Sequence, residues 1–360
     1  MSRFTATYRV RADAASIAAR AEAIAVEQSV EMPLDAIDDA AIHENIVGTV
    51  GAIEDRGGGV FDVEIALSAA TVGGDAGQLL NMMFGNTSLH EDVWLIDVSG
   101  DFPFSGPHHG IAGLRERRGA FGRALTCSAL KPQGLSPSRL AMLAERFALG
   151  GIDFIKDDHG LADQRYSPFE ERVGAVARAV GRTRYVPSLS GDLDQLRRQI
   201  DVACKHGIDT VMLMPMIAGW STMQTLVRQY PDIAFFAHPS FGGAAGIMPD
   251  LLIGKLFRML GADAVIFPNY GGRFGYTPQT CRRLAERARM SMDGFRPSIP
   301  VPAGGMTLDR VPEMLDFYGP DAMLLIGGSL LAARERLTEE TAAFTRLVAQ
   351  HKYLREADGH

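Results

Sequence analysis

The densest chemistry in this 360-residue chain lies in four consecutive side chains, Lys156, Asp157, Asp158 and His159, directly after the apolar run Ile152–Ile155. If that run is a strand, alternation sends Lys156 and Asp158 to one side, and His159 can join them as strand gives way to loop. Such a pair supplies protein ligands to a hard divalent ion, and oxygen donors with one imidazole suit magnesium or manganese better than zinc. The plainer reading is a solvated charged loop. Lys131, ahead of a Pro-Gln-Gly turn, is placed to act as a base or simply to snorkel. Lys131 or Lys156 could also form an imine with a keto sugar. His238, in FFAHPS, is either catalytic or a satisfied core histidine, and Arg273, beside Gly271-Gly272, is either a ligand for an anion or loop surface. Two diglycines, Gly304-Gly305 and Gly327-Gly328, let backbone N–H groups approach a phosphate, aided by helices starting near Thr307 and Ser329.

These residues need elements that hold them together. From about residue 124 a theme recurs eight times: a short β-branched apolar run, a Gly/Pro-rich loop, then a stretch of helical periodicity. The runs are 123–132, 151–158, 184–191, 209–216, 232–240, 263–269, 298–305 and 321–329. Eight such units predict a (β/α)8 TIM barrel; an open doubly wound sheet alternates in the same way, but the count favours closure. In a barrel the candidate residues above share the carboxyl ends of the strands, where active sites lie. Residues 1–118 alternate apolar and polar positions around helical stretches at 14–27 and 76–83, which predicts an α+β, ferredoxin-like N-terminal domain. The barrel and a C-terminal helical tail then occupy 119–360, joined through FSGPHHGIAGLRERRGAFG.

Composition narrows the partners. With 36 Lys plus Arg against 43 Asp plus Glu, the formal charge of −7 repels a phosphate backbone, so no nucleic-acid partner is expected. No apolar stretch is long enough for a membrane span and the first residues lack a signal-peptide core, so the expectation is a cytoplasmic protein with no membrane partner. Cys127, Cys204 and Cys281 are odd in number and far apart, and are read as reduced, buried fillers; Trp94 and Trp220 are read as core.

Taken together, these segments resemble the large subunit of ribulose-bisphosphate carboxylase, and specifically the RuBisCO-like proteins. FSGPHHGIAGLRERRGAFGRALTCSALKPQGLS resembles the family's approach to the barrel and its Lys-Pro-Lys first strand, and GGIDFIKDDHGLADQ its Gly-Gly-x-Asp-Phe-x-Lys-x-Asp-Glu metal motif. Gly271-Gly272-Arg273 sits where the family has its mobile loop six, PVPAGG and LLIGGS resemble the phosphate glycines, and AVEQS and MMFGN resemble segments that reach a partner subunit's barrel. The resemblance implies Lys156 as a lysine carbamylated by CO2, binding Mg2+ with Asp158 and His159. It implies Lys131 as the enolising base, with His238 and Arg273 beside the substrate, and Gly304, Gly305, Gly327 and Gly328 on its phosphate. Glu27 and Asn86 would come from a neighbouring subunit, which implies a homodimer or higher oligomer.

The departures restrict the reaction. His159 replaces the family's last carboxylate ligand, Gln133 the second lysine of the first-strand motif, Arg273 the loop-six lysine and Pro239 the arginine after the fifth-strand histidine. Ile266 stands for the sixth-strand histidine, and Met32-Pro33 for a Thr-Trp pair. Groups that hold a second phosphate and steer CO2 are thus missing, and a CO2-fixing carboxylase is not expected. What remains is enolate or enediolate chemistry on a phosphorylated keto sugar or keto sugar acid. Decarboxylation of a 3-keto sugar acid phosphate is the leading expectation, because His159 and Arg273 make the site more positive toward a carboxylate. The alternative is a methionine-salvage enolase or isomerase of a methylthio sugar phosphate, with Ile266, Phe267 and Met32 as the apolar pocket. A non-catalytic binder of a phosphorylated ligand is a third possibility.

Overall fold

The structure is a computed structural model, and it describes residues 2–353; the end of the expected tail lies outside them. Strands β1 (Arg3–Arg11), β2 (Thr49–Gly57), β3 (Val60–Ser68) and β4 (Val93–Ser99) form an antiparallel sheet in the order β2-β3-β1-β4. Helices Ile17–Glu27 and Ala76–Phe84 interrupt it, so the chain order is βαββαβ, the ferredoxin-like arrangement. Alternate residues of β1, namely Phe4, Ala6, Tyr8 and Val10, are buried against them, as a half-covered sheet requires.

Eight parallel strands follow: β5 (Leu125–Leu130), β6 (Phe154–Asp157), β7 (Arg184–Val186), β8 (Thr210–Leu213), β9 (Ala234–Ala237), β10 (Ala264–Pro268), β11 (Ile299–Ala303) and β12 (Met323–Leu325). Each of the eight predicted runs contains one of them. The sheet order β7-β6-β5-β12-β11-β10-β9-β8 closes on itself where Met212 N donates to Pro187 O and Leu189 N to Met212 O, both at 2.9 Å. The barrel interior is packed by Leu125, Cys127, Phe154, Met212, Phe236 and Ile266, among others. Ile111 and Leu114, from the helix Gly110–Arg118, join that same cluster. The basic segment read as a join is thus a plug under the barrel, pinned where the Asp263 carboxylate accepts the N–H groups of His109 and Gly110 at 2.8 and 2.6 Å.

Three sequence readings are corrected. Cys204 is exposed, on the outer side of a barrel helix, and Trp94 is only half-buried, with the Arg11 guanidinium over its ring. Ile266 and Phe267 are both buried, one inside the barrel and one in the layer outside it, so neither lines an open pocket. No helix among the described residues is long and apolar enough to cross a membrane.

Candidate active site

Period-two alternation along the barrel strands assembles the site. On β5 the inward series Leu125, Cys127, Ala129 leads to Lys131; on β6 Phe154 leads to Lys156 and Asp158; on β9 Phe236 leads to His238. Below each polar residue lies apolar packing, so the chemistry sits as a rim on a dry core.

The rim is tightly knit. Lys131 Nζ is 2.9 Å from Asp158 Oδ2, Gly160 N donates to Asp158 Oδ1 at 3.0 Å, and His159 Nδ1 lies 3.5 Å from the same oxygen. The His159 and His238 rings stack, with centroids 4.5 Å apart and planes 9° from parallel. Burial alone would raise the Asp158 carboxyl, but the Lys131 and Gly160 hydrogen bonds and the charges of Lys131 and Lys156 hold it down at about 2, so it is a carboxylate. Burial lowers His159, and it takes His238 to about 2, with nearby Lys156 and His159 adding to the effect on His238. Both rings are neutral at pH 7. Ser240 N donates to His238 Nδ1 at 3.3 Å, so that nitrogen accepts and the ring proton belongs on Nε2.

Lys156 is 4% exposed and its pKa is lowered by burial. Its Nζ donates to Asp157 O at 2.8 Å. Asp157, which the sequence reading grouped with the metal motif, points the other way. There it accepts from Tyr185 OH at 2.7 Å, Arg172 Nε at 3.1 Å and Ser188 N at 3.1 Å, all buried. Burial pushes that carboxyl up, and the charge of Arg172 and the three hydrogen bonds work against it. Arg172 also donates to Ala162 O and Ser167 O, so it ties the strand end to the loop that follows Asp158 and His159. Sequence reasoning missed this support, since Arg172 reads as one more charge on an amphipathic helix.

The donor set fits a hard divalent ion. Among the described residues no three His, Cys, Asp or Glu side chains converge as a metal site, so an ion held by Asp158 and His159 would have to take its third protein ligand from another residue type, such as Lys156. A buried lysine biased toward the neutral amine is the form that takes up CO2 as a carbamate. An ion bound there would displace Lys131 from Asp158 and free its amine.

The loops after β10 (through Gly271-Gly272) and after β11 (through Gly304-Gly305) pack glycine on glycine. A Cβ at Gly305, whose φ is +67°, would come within 2.6 Å of Gly272 Cα, and a Cβ at Gly272 within 3.0 Å of Gly304 O. Arg310 donates to Tyr270 O and Gly305 O, clasping the two loops together. Gly327 lies against Ala129 on β5, beside the rim. Arg273 is exposed and its guanidinium lies 4.9 Å from the Phe274 ring centroid, while its charge still helps to keep His159 neutral. Phe241, two residues from the His238-Pro239 step, is 69% exposed at φ +67°. A non-glycine residue in that region is strained, and with exposed Phe274 it puts aromatic surface on the loops above the rim where Ile266 and Phe267 cannot.

The N-terminal candidates form their own group. Asn86 Nδ2 donates to Glu27 Oε1 at 2.8 Å and to Glu31 Oε1 at 3.1 Å, and Glu31 stands at φ +54°. Among the described residues no hydrogen bond or ion pair joins this group to the rim within one chain.

Comparison with known proteins follows the geometry. The family model for the ribulose bisphosphate carboxylase large chain, catalytic domain, matches residues 110–292. The chain is 62% identical to a 5-methylthioribulose-1-phosphate isomerase of Rhodospirillum rubrum over 96% of each chain. It is 31% identical to a 2,3-diketo-5-methylthiopentyl-1-phosphate enolase of Geobacillus thermodenitrificans, over 92% of this chain and 88% of that one. The crystal structure of a Rubisco-like protein from Rhodopseudomonas palustris superposes with a TM-score of 0.92 at 47% identity, covering 99% of this chain and 100% of that one.

Proposed function

The chain belongs to the ribulose bisphosphate carboxylase large-chain family as a RuBisCO-like enzyme, and from that premise we propose that it is an isomerase of a methylthio sugar phosphate working through an enolate. The observation that carries the reading is the rim itself: a lysine base, Lys131, beside one carboxylate and two neutral imidazoles. The 62% identity with a named 5-methylthioribulose-1-phosphate isomerase supports the choice of substrate.

Decarboxylation, the leading expectation from sequence, loses its supports. His159 is neutral and stacked rather than cationic, and Arg273 lies over Phe274 on the exposed loop. An uncharged methylthio end suits the exposed aromatic rings of Phe241 and Phe274 better than a substrate carboxylate would.

In this reading Asp158, His159 and a carbamylated Lys156 would hold Mg2+, which would supply Lewis-acid stabilisation of an enolate oxygen. Gly304, Gly305, Gly327 and Gly328 hold the phosphate and fix the carbon chain across the rim. Lys131, released from Asp158, takes the proton from the carbon next to the carbonyl. His238 offers its Nε2–H to the oxygen that gains charge. Returning the proton to the former carbonyl carbon, while the hydroxyl hydrogen of the deprotonated carbon passes to that carbonyl's oxygen, completes the isomerisation with no net change in atoms or charge. Glu27 and Asn86 of a second copy would close the mouth, which makes the working unit a homodimer or larger.

The deciding experiment supplies 5-methylthioribulose 1-phosphate in deuterium oxide and follows isomer formation and solvent deuterium uptake, beside CO2 release from phosphorylated 3-keto acids. Isomerisation that chelation abolishes and magnesium with bicarbonate restores is expected. Decarboxylation without isomerisation, or phosphate-ligand binding without proton exchange, would overturn the reading.

A further inference from the structure

A cavity of about 590 Å³ opens at the amino-terminal end of the barrel, the end opposite the rim. Arg117, Arg118, Arg182 and Arg184 wall it, with Asp209 as the acidic residue of its lining. It lies where three helices end, Gly110–Arg118, Phe169–Ala179 and Leu193–Lys205, each followed within two residues by a glycine at positive φ.

The bland explanation for arginines here is that they neutralise helix carboxyl ends, and two of the four do bond to backbone carbonyls. Arg117 donates to Asp232 O at 2.6 Å and Arg184 to Arg117 O at 2.6 Å, and both share Asp209 at 3.4 and 3.5 Å. Among the described residues Arg118 and Arg182 bond to no carbonyl. Arg118 reaches only Asp153, at 3.1 Å, and that carboxylate is already held bidentately by Arg123 at 2.7 and 2.8 Å and by Thr126 N and Oγ1 at 2.9 Å. Arg182 is exposed and makes no side-chain hydrogen bond or ion pair with the described residues. The Nε atoms of Arg117 and Arg118 are buried and face carboxylates, Asp209 at 3.4 Å and Asp153 at 3.1 Å. Two carboxylates and three helix ends, each worth about half a negative charge, leave the five guanidiniums with a surplus of between about one and two positive charges. This surplus stands in a chain whose formal charge is −7.

We propose that this cavity is a second anion site, which takes a phosphoryl group carrying two or more negative charges between Arg118 and Arg182. Guanidinium forks match phosphoryl oxygens in geometry, and an anion here discharges the local surplus. The site is separate from the glycine loops of the rim and does not depend on the reaction assigned there.

The test is calorimetric titration of the full-length protein with inorganic diphosphate, and then phosphate, at low salt. Arg182→Gln and the double variant Arg118→Gln/Arg182→Gln should each weaken one binding event by about tenfold or more, while Arg346→Gln, on the helix Leu337–Gln350, leaves the isotherm unchanged. Isotherms identical to wild type in both Arg182→Gln and the double variant would overturn the proposal. If the double variant does not fold, Arg182→Gln alone decides, since its side chain is exposed. Competition by ADP or a sugar phosphate would identify a metabolite's phosphoryl group as the occupant, and competition by neither would leave the inorganic anion.

Discussion

Asp158 is the hinge of the rim at the level of single residues. One oxygen is tied to the backbone at Gly160 and the other to the ammonium of Lys131, so the carboxylate is positioned before any ligand arrives. Lys131 therefore has two employments, as counter-ion and as base. Lys131→Ala should lower kcat by about 10²- to 10⁴-fold, the usual worth of a positioned general base. The same variant should bind Mn2+ at least as tightly as wild type, since Asp158 no longer has a competing cation. Steady-state kinetics with a paramagnetic titration checks both, and a loss of Mn2+ affinity in step with kcat would show that Lys131 only builds the metal site.

Among the elements, the paired loops at the mouth and the N-terminal sheet each carry a prediction. The loops after β10 and β11 approach so closely that a side chain at Gly305 forces them apart and one at Gly272 is crowded by Gly304 O. Gly305→Ala adds a methyl where φ is +67° and Gly272 Cα stands 2.6 Å away, so the loops must part. KM for the phosphorylated substrate should rise several-fold, with a thermal stability change far smaller than that of a core mutation; an unchanged KM would mean that the phosphate lies elsewhere. In the sheet, Asp62 on β3 joins its neighbours by accepting from Arg9 on β1 at 2.8 Å and Arg56 on β2 at 2.7 Å. Burial opposes ionisation, but those two arginines hold its carboxyl below the ordinary range. A depressed carboxyl stabilises the fold above its unfolded value, about pH 4, and loses that contribution as the pH falls further. Because Arg9 and Arg56 are partly exposed, screening leaves about 1 kcal/mol. Urea titrations should show wild type and Asp62→Asn differing by about that much at neutral pH and converging in acid, whereas a pH-independent gap would contradict the ion-pair account.

For the whole molecule the question is where one site ends. Lys131, Lys156, Asp158, His159 and His238 meet within one barrel, while Glu27 and Asn86 meet each other on the N-terminal domain. If a second copy completes the mouth, chains inactivated in different halves rescue one another. Mixing Lys156→Ala and Asn86→Ala chains through unfolding and refolding should restore activity to about a quarter of wild type, as random C2 pairing requires. No recovery, with mixed dimers demonstrated by mass, would place the whole site in one chain.

The barrel, the ferredoxin-like domain and the rim were legible in the sequence because they rest on local periodicity. Alternation along eight apolar runs already puts Lys131, Lys156, Asp158 and His238 on the inward face at the strand ends. What the sequence by itself determined is therefore which residues face the mouth. Charge states and open surface depend on neighbours distant in the chain, and these only the tertiary structure decided. His159 reads as a positive group until His238, 79 positions on, stacks against it and burial keeps both rings neutral. Ile266 and Phe267 read as a pocket until closure of the barrel buries both, leaving Phe241 and Phe274 exposed instead. Asp157 reads only as the outward-facing neighbour of Lys156 and Asp158 until the buried Arg172, from the helix of its own unit, and Tyr185, from the next strand, give it partners. Desolvation and pairing are properties of a packed neighbourhood, and no local pattern encodes a neighbourhood assembled from residues tens of positions apart.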